Sequence, residues 1–269
     1  MRVPILCYHR VHRDDDPQLP PTPPTPQFDE DNDNPLVGLS EYCGHLRLST
    51  FCKQLDYLVD RGFTTITHAQ LYETIVNGQS LPEPAVAIDF DDNRTQALEV
   101  AFPAMRERGL IGNMWVISQL AAGADLGDNM SRPFGYTDWN LDWDGIRELK
   151  KAGWLIGAHT RTHPFLGELI DERNGAARAE TELKGSQVEI AEQLGEPPLH
   201  MAYPAGSYNE RVEMIVKRYY RTCRLWAPHS LYVYNDRSTN PYRLNASNMS
   251  EQVPIEAFRK LVDGVQLKS

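Results

Sequence analysis

The chain has 269 residues, is 41% hydrophobic and carries a formal net charge of −10 at neutral pH, with a pI near 5.3. That length and apolar content allow one large domain or two small ones around a sizeable core. The acidic balance argues against nucleic acid and against anionic membrane surfaces as partners. There is no apolar run of about 18 residues, so no transmembrane helix is expected. The N-terminal apolar run, Val3 to Tyr8, is too short for the core of a signal peptide. The expected location is therefore the cytoplasm, unless a leader has been removed. Cys7, Cys43, Cys52 and Cys223 show no metal-type pairing and read as free thiols, with Cys7 in a core strand.

Val3 to Tyr8 reads as a buried first strand ending at His9. Strand ends are where active-site groups collect in barrels, but a lone histidine is more often structural, and spacing does not single it out. Residues 13–45 form a Pro-rich, acidic segment, expected to be a long loop insertion because proline removes backbone donors. Ser49 to Arg61 is an amphipathic helix with Phe51, Leu55, Leu58 and Val59 on one face, stopped at Gly62. Phe63 to Ile66 is a short strand, and His68 to Asn77 a helix ended at Gly78.

Ala85 to Arg94, Ala-Val-Ala-Ile-Asp-Phe-Asp-Asp-Asn-Arg, organises the chain. Its first half is apolar, as in a buried strand. Its second half sets Asp89, Asp91 and Asp92 within four positions. A polar turn capping the next helix accounts for one carboxylate, with Asp92 or Asn93 as N-cap. Three beside a core strand point instead to a metal or acid/base site, since carboxylates are rarely buried unpaired.

Arg94 to Arg108 is expected helical, kinked or shortened by Pro103; Gly112 to Ile117 is the next strand. A Gly-rich loop follows from 121 to 136. Asp142 N-caps Trp143 to Ala152, then Trp154 to Ala158 is a strand. Asp171 to Leu194 is a long helix, Leu199 to Tyr203 a strand, Asn209 to Tyr220 a helix and Thr222 to Trp226 a strand. Tyr242 to Leu244 is a candidate strand, and Ile255 to Val262 a last helix. Strands alternate with helices about seven times, the α/β pattern of a parallel sheet. Without a phosphate-binding glycine fingerprint, barrel-like closure is favoured over an open sheet. No internal repeat or second domain is visible, so residues 1–269 are taken as one domain.

His159 and His163 are four apart at the end of the strand Trp154 to Ala158. On one helical turn that spacing would align both imidazoles on one ion. A capping and a surface histidine explain the pair equally well when it is taken alone. With Asp92 at the end of another parallel strand, the metal reading is the better one. Two histidines and a carboxylate leave a coordination position open, the catalytic arrangement. Imidazoles favour zinc, nickel, cobalt or iron over magnesium or calcium. Two adjacent aspartates also allow one to bind the ion while the other stays free to take a proton.

These motifs resemble the polysaccharide deacetylase family, the NodB-homology carbohydrate esterases. Phe90-Asp91-Asp92-Asn93 is similar to the first family motif, with Asn93 where glycine is usual; His159-Thr160-Arg161-Thr162-His163-Pro164 resembles the second, and Tyr203-Pro204-Ala205-Gly206-Ser207-Tyr208 the third. The resemblance implies a distorted (β/α) barrel with about seven strands. It implies Asp91 as general base and Asp92, His159 and His163 as ligands of a divalent metal, most often zinc. The Ala205 N–H would serve as oxyanion donor, with Tyr203 and Pro204 lining the substrate site. The substrate implied is an N-acetylated sugar. The start Pro4-Ile5-Leu6-Cys7-Tyr8-His9 resembles a circularly permuted branch, which makes His9 the candidate acid. No Leu-x-His motif stands near the C-terminus; Tyr232-Val233-Tyr234 occupies that region.

Three positions depart from the pattern. Ala205 replaces an aromatic, Asn93 replaces glycine, and Asp89 replaces a small hydroxyl residue. Alternation puts Asp89 on the same side as Asp91, either raising its proton affinity or salt-bridged. The family arginine that steadies the base is absent at Ala202; Arg94, Arg161 and Arg243 are the candidate substitutes. Trp139, Trp143 and Trp226 are candidates for stacking on sugars, though burial is commoner for tryptophan. His12, His45, His68, His200 and His229 read as surface or supporting groups. The expected activity is metal-dependent de-N-acetylation. The alternatives are an O-acetyl esterase or small-amide hydrolase on the same scaffold, and a non-catalytic glycan-binding protein.

Overall fold

The computed structural model describes residues 1–17, 19, 44–126, 140–226 and 231–266. Most of the Pro-rich segment, and Cys43, Trp139 and His229, lie outside them. The elements are β1 (Ile5–Tyr8), β2 (Arg10–His12), β3 (His45–Arg47), α1 (Leu48–Asp60), β4 (Thr64–Thr65), α2 (His68–Asn77), β5 (Ala85–Phe90), a π-helical turn (Ala97–Ala101), α3 (Phe102–Glu107), β6 (Asn113–Val116) and α4 (Ser118–Ala121). There follow α5 (Trp143–Lys151), β7 (Leu155–Ala158), α6 (Leu166–Leu169), α7 (Gly175–Leu194), β8 (His200–Ala202), α8 (Glu210–Val216), β9 (Thr222–Arg224), β10 (Ser247–Asn248) and α9 (Ile255–Asp263). None of these helices is long and apolar enough to cross a membrane.

The main sheet runs β10-β1-β5-β6-β7-β8-β9, with β4 beside β5, and its pairings are parallel. The alternating pattern predicts a parallel sheet with barrel-like closure, and the sheet is a curled half-barrel. The edges are joined by one segment. Leu244 donates to the Cys223 carbonyl and accepts from Leu225 N–H, at 3.0 and 2.7 Å, and a few residues on Ser247 pairs Leu6. The expected strand Tyr242 to Leu244 is thus a single bridge to Arg224, and the ladder resumes at Ser247–Asn248. Its early residues are spent on a turn: Tyr242 and Arg243 N–H both donate to Asn240.

Helices pack the larger core cluster, with Phe51, Leu55 and Leu58 of α1, Ile146 and Leu149 of α5, and Leu183 and Ile190 of α7 against Val86, Ile88 and Phe90. Asp142 caps α5 by accepting from Gly145 N–H at 2.9 Å, as its sequence position implies. Pro103 does not kink a continuous helix. Phe102 N–H reaches back five residues to the Ala97 carbonyl, forming the π turn, and Pro103 opens α3, where no donor is required. The long helix begins at Gly175 rather than Asp171, after Asn174 in a left-handed conformation.

The β2–β3 pair escaped the sequence reading because each partner is three residues long and the pairing spans the Pro-rich segment. It is held by histidines that are buried, not at the surface. Arg10 Nη1 donates to His45 Nε2 at 3.0 Å. His45 therefore carries its proton on Nδ1 and donates to His12 Nε2 at 2.9 Å; His12 Nδ1 donates to Asp16 at 2.7 Å. His200 is buried as well, its Nδ1 2.8 Å from the Thr222 hydroxyl.

Burial, seconded by Arg10, holds His45 at about 3; burial, seconded by His68, holds His200 at about 3. Unfolded, each titrates near 6.5. Between those values the unfolded chain binds more protons, so this stability is complete above the unfolded value and is lost as pH falls. Urea denaturation from pH 7.5 down to 5 is expected to show a falling midpoint, with a shallower fall in His200→Gln. Equal slopes in the two proteins would contradict this.

Candidate active site

Parallel strands deliver β1, β5, β7, β8 and β9 to one rim at their C-terminal ends. Every residue of β5 is buried. Alternation sends Val86, Ile88 and Phe90 into the larger cluster, and Ala85 and Ala87 toward Val3, Ile5 and Cys7. Asp89 and Asp91 continue on the Ala85 and Ala87 side.

Asp89 is fully buried and surrounded by donors. It accepts from His68 Nε2 at 2.9 Å, Asn113 Nδ2 at 3.1 Å and Trp115 Nε1 at 2.8 Å. Arg224 Nε lies 3.1 Å from its Oδ2. The same guanidinium donates through Nη2 to Asp91 Oδ1. Asp89 is therefore salt-bridged and is no free acid beside Asp91. Arg224, at the end of β9, was missed because only the barrel's curl brings β9 across from β5. It takes the place expected of Arg94, Arg161 or Arg243, none of which pairs with Asp91. Arg94 Nη2 stands 3.7 Å from Asp92 and Nη1 donates to Asn140; Arg161 pairs Glu189, and Arg243 pairs Glu213.

Burial would raise Asp91, but Arg224, helped by His159 and His9, outweighs it and holds the carboxyl below its usual value. Asp92 is likewise lowered against burial, by His163 and then Arg94. Asp91 Oδ2 faces His9 Nε2 at 3.7 Å, while burial pushes the His9 imidazole down.

Asp92 Oδ1 lies 3.6 Å from His159 Nε2 and 3.5 Å from His163 Nε2. Those separations are too long for hydrogen bonds. They are near the edge of about 3.3 Å that two nitrogen or oxygen ligands leave around tetrahedral zinc. His159 Nδ1 donates to the Ala202 carbonyl at 2.9 Å, which turns an Nε2 lone pair toward Asp92. Two imidazoles and a carboxylate with that orientation fit a divalent cation. The histidines do not share a helical turn. Residues 159–163 form an irregular loop with Thr160 and His163 at positive φ, and the rings meet edge to face, 4.8 Å apart. Glu182 of α7 pins that loop by accepting from the N–H groups of Arg161 and Thr162 at 2.9 Å each.

Residues 78–222 match the polysaccharide deacetylase family. The chain belongs to that family. YxkH of Bacillus subtilis (strain 168), named for the same family, is 21% identical over 209 residues, covering 78% of this chain and 58% of its own length. The chain thus spans under two thirds of that relative. Among solved structures, the Streptococcus pyogenes deacetylase PplD, determined with acetate, superposes at a TM-score of 0.74 with 21% identity over 97% of this chain and 98% of that one. A de-N-acetylase of Aggregatibacter actinomycetemcomitans gives 0.72 with 16% identity over 97% and 100%. The polysaccharide deacetylase BC0361 of Bacillus cereus gives 0.70 with 18% over 97% and 69%. At these identities the likeness establishes the fold, the deacetylase half-barrel.

Where this member departs from the family pattern, the structure gives reasons. Asn93 takes φ 38°, tolerable for asparagine, and its side chain accepts from Ile117 N–H at 3.0 Å and donates to the Leu141 carbonyl at 3.1 Å. It clips the β5 end to the loops after β6 and before α5. Ala205 is exposed, at φ 49° in the turn Pro204–Gly206 beyond β8. Tyr203 and Pro204 are buried, the Tyr203 ring lying tilted by 31° against that of Tyr208 with centroids 5.4 Å apart. Trp226 lies beside that turn: a Cβ on Gly206 would stand 2.9 Å from its carbonyl. Trp143 packs against the core.

Asn93→Gly would relieve about 1 kcal/mol of strain but strand the buried Ile117 N–H, at about 1–3 kcal/mol. A net loss of up to about 2 kcal/mol in urea denaturation is expected, and a gain would contradict the clip. Arg224→Met leaves two buried carboxylates facing each other, so a loss of about 3–5 kcal/mol is expected in the same assay.

Proposed function

We propose that the chain is a metal-dependent hydrolase removing acetyl groups from N-acetylated sugar residues. The observation that carries this reading is the pairing of Asp92, His159 and His163 around one point with a second carboxylate, Asp91, held separately by Arg224. Glycan binding alone would not require both. A divalent cation, zinc by its donor set, would be held by Asp92, His159 and His163; it would supply polarisation of the acyl carbonyl and acidification of water.

The protein's own groups do the rest. Asp91, ionised because Arg224 opposes the effect of burial, takes the proton from the attacking water through Oδ2. Arg224 occupies Oδ1, so only the Oδ2 side is presented to that water. The N–H of Ala205, an exposed residue, donates to the oxyanion as it forms. His9, partly withdrawn from water and so lowered in proton affinity, rests neutral and lies within relay distance of Asp91 Oδ2; it passes the proton on to the departing amine.

Two measurements test the reading. Elemental analysis should find a divalent metal in the purified protein, and chelation should abolish acetate release from chito-oligomers or β-1,6-linked N-acetylglucosamine oligomers, with recovery on readdition. Asp91→Asn should lower kcat by at least about 100-fold, the size of a general-base contribution, while retaining the metal. Full activity in Asp91→Asn refutes the base. Release from O-acetyl but not N-acetyl substrates refutes the amide specificity.

A further inference from the structure

The mechanism gives Cys7 no task, yet its thiol lies 3.5 Å from Asp91 Oδ2, the oxygen that also faces His9 Nε2 at 3.7 Å. Ligand atoms of Cys7, His9 and Asp91 all lie within 4.8 Å of one another, and this group shares no residue with Asp92, His159 and His163. We propose that Cys7, His9 and Asp91 form a second, weaker site for a thiophilic divalent cation such as zinc or cadmium, and that its occupation switches the enzyme off.

The donor set is a thiolate, an imidazole and a carboxylate, which zinc and cadmium prefer over magnesium or calcium. Around tetrahedral zinc a sulfur and an oxygen ligand stand about 3.5 Å apart, and a nitrogen and an oxygen about 3.3 Å. The 3.5 and 3.7 Å separations require little movement. His9 is the most exposed of the three, with 24% of its side chain accessible, so an ion enters from that side. Asp89 stands opposite Cys7 in the ladder, spent on Arg224.

Electrostatics sets the order of filling. The Arg224 guanidinium grips the other oxygen of Asp91, and His159 Nε2 of the first triad is 3.9 Å from Asp91 Oδ2. A cation in the second site is repelled by both Arg224 and a cation in the first, so it binds more weakly. Binding breaks the Cys7 S–H bond and forms a sulfur–metal bond; the proton leaves to solvent and the metal keeps its oxidation state. Asp91 and His9 surrender the lone pairs used for proton transfer, so base and acid are lost together. The order of filling and the inhibition rest on the function proposed above; the site itself does not.

The test is a cadmium titration of the full, metal-stripped chain, following thiolate-to-cadmium charge-transfer absorbance and bound metal by elemental analysis. Two ions per chain are expected, with the absorbance growing only as the second binds. Cys7→Ser should bind one ion and lose that absorbance; Cys7→Ala serves if the serine variant does not fold. In parallel, acetate release should rise and then fall as zinc is added. In Cys7→Ser the falling limb should move to more than about tenfold higher zinc relative to that variant's own maximum, since even losing a group that supports a ligand costs that much affinity. One bound ion without the absorbance overturns this proposal alone, as does absorbance that persists in both Cys7 variants. A chain that binds no ion overturns both this proposal and the metal reading of the first triad.

Discussion

Arg224 is completely buried between two carboxylates, and the site is built around that fact. An unpaired guanidinium in such a place would be prohibitively costly, and so would either aspartate alone. Burial works against the arginine's charge, but Asp91, with Asp89 behind it, keeps the charge in place and raises its proton affinity. The consequence for Asp91 runs the other way: it is ionised at neutral pH and oriented, with one oxygen occupied and one presented. Asp89 is the silent member. With His68, Asn113 and Trp115 around it, it anchors Arg224 so that Asp91 need not do so alone.

The neighbouring loops show the same trade between strain and position. Five non-glycine residues at the rim, Asp92, Asn93, Thr160, His163 and Ala205, hold positive φ. Each such conformation costs about 1–3 kcal/mol and persists only where surrounding bonds overdetermine it. Those bonds are visible. Asn93 ties three loops together, the Thr160 hydroxyl accepts from His163 N–H at 3.0 Å, and Glu182 clamps the loop between the two histidines. Two of these strained residues, Asp92 and His163, carry side chains that stand 3.5 Å apart.

The candidate site residues and the regular elements were legible early because they depend on short-range pattern. A buried run followed by three aspartates marks a strand end with surplus charge, and two histidines near another strand end mark candidate ligands. The α1 helix follows from its apolar periodicity and α5 from its Asp142 cap. The short β2–β3 pair and the π turn were not legible. One depends on residues some thirty positions apart meeting through a His–His–Asp chain, the other on how a proline is accommodated. The helical-turn reading of His159 and His163 failed because i,i+4 spacing specifies a geometry only if the backbone is helical.

The arginine beside Asp91 shows where local pattern runs out. Arg94 and Arg161 are closer to the motifs in sequence, and Arg243 is as conspicuous as Arg224, yet charge type and sequence distance carry no information about which strand curls back to face β5. By itself the sequence determined the residue types at the strand ends, the α/β alternation and the presence of carboxylates and imidazoles near the ends of two strands. Only the tertiary structure decided that Arg224 meets Asp89 and Asp91, and that Cys7 and His9 share Asp91 Oδ2. Sheet closure is a long-range event, and it alone sets which strand ends lie within a few ångströms of each other.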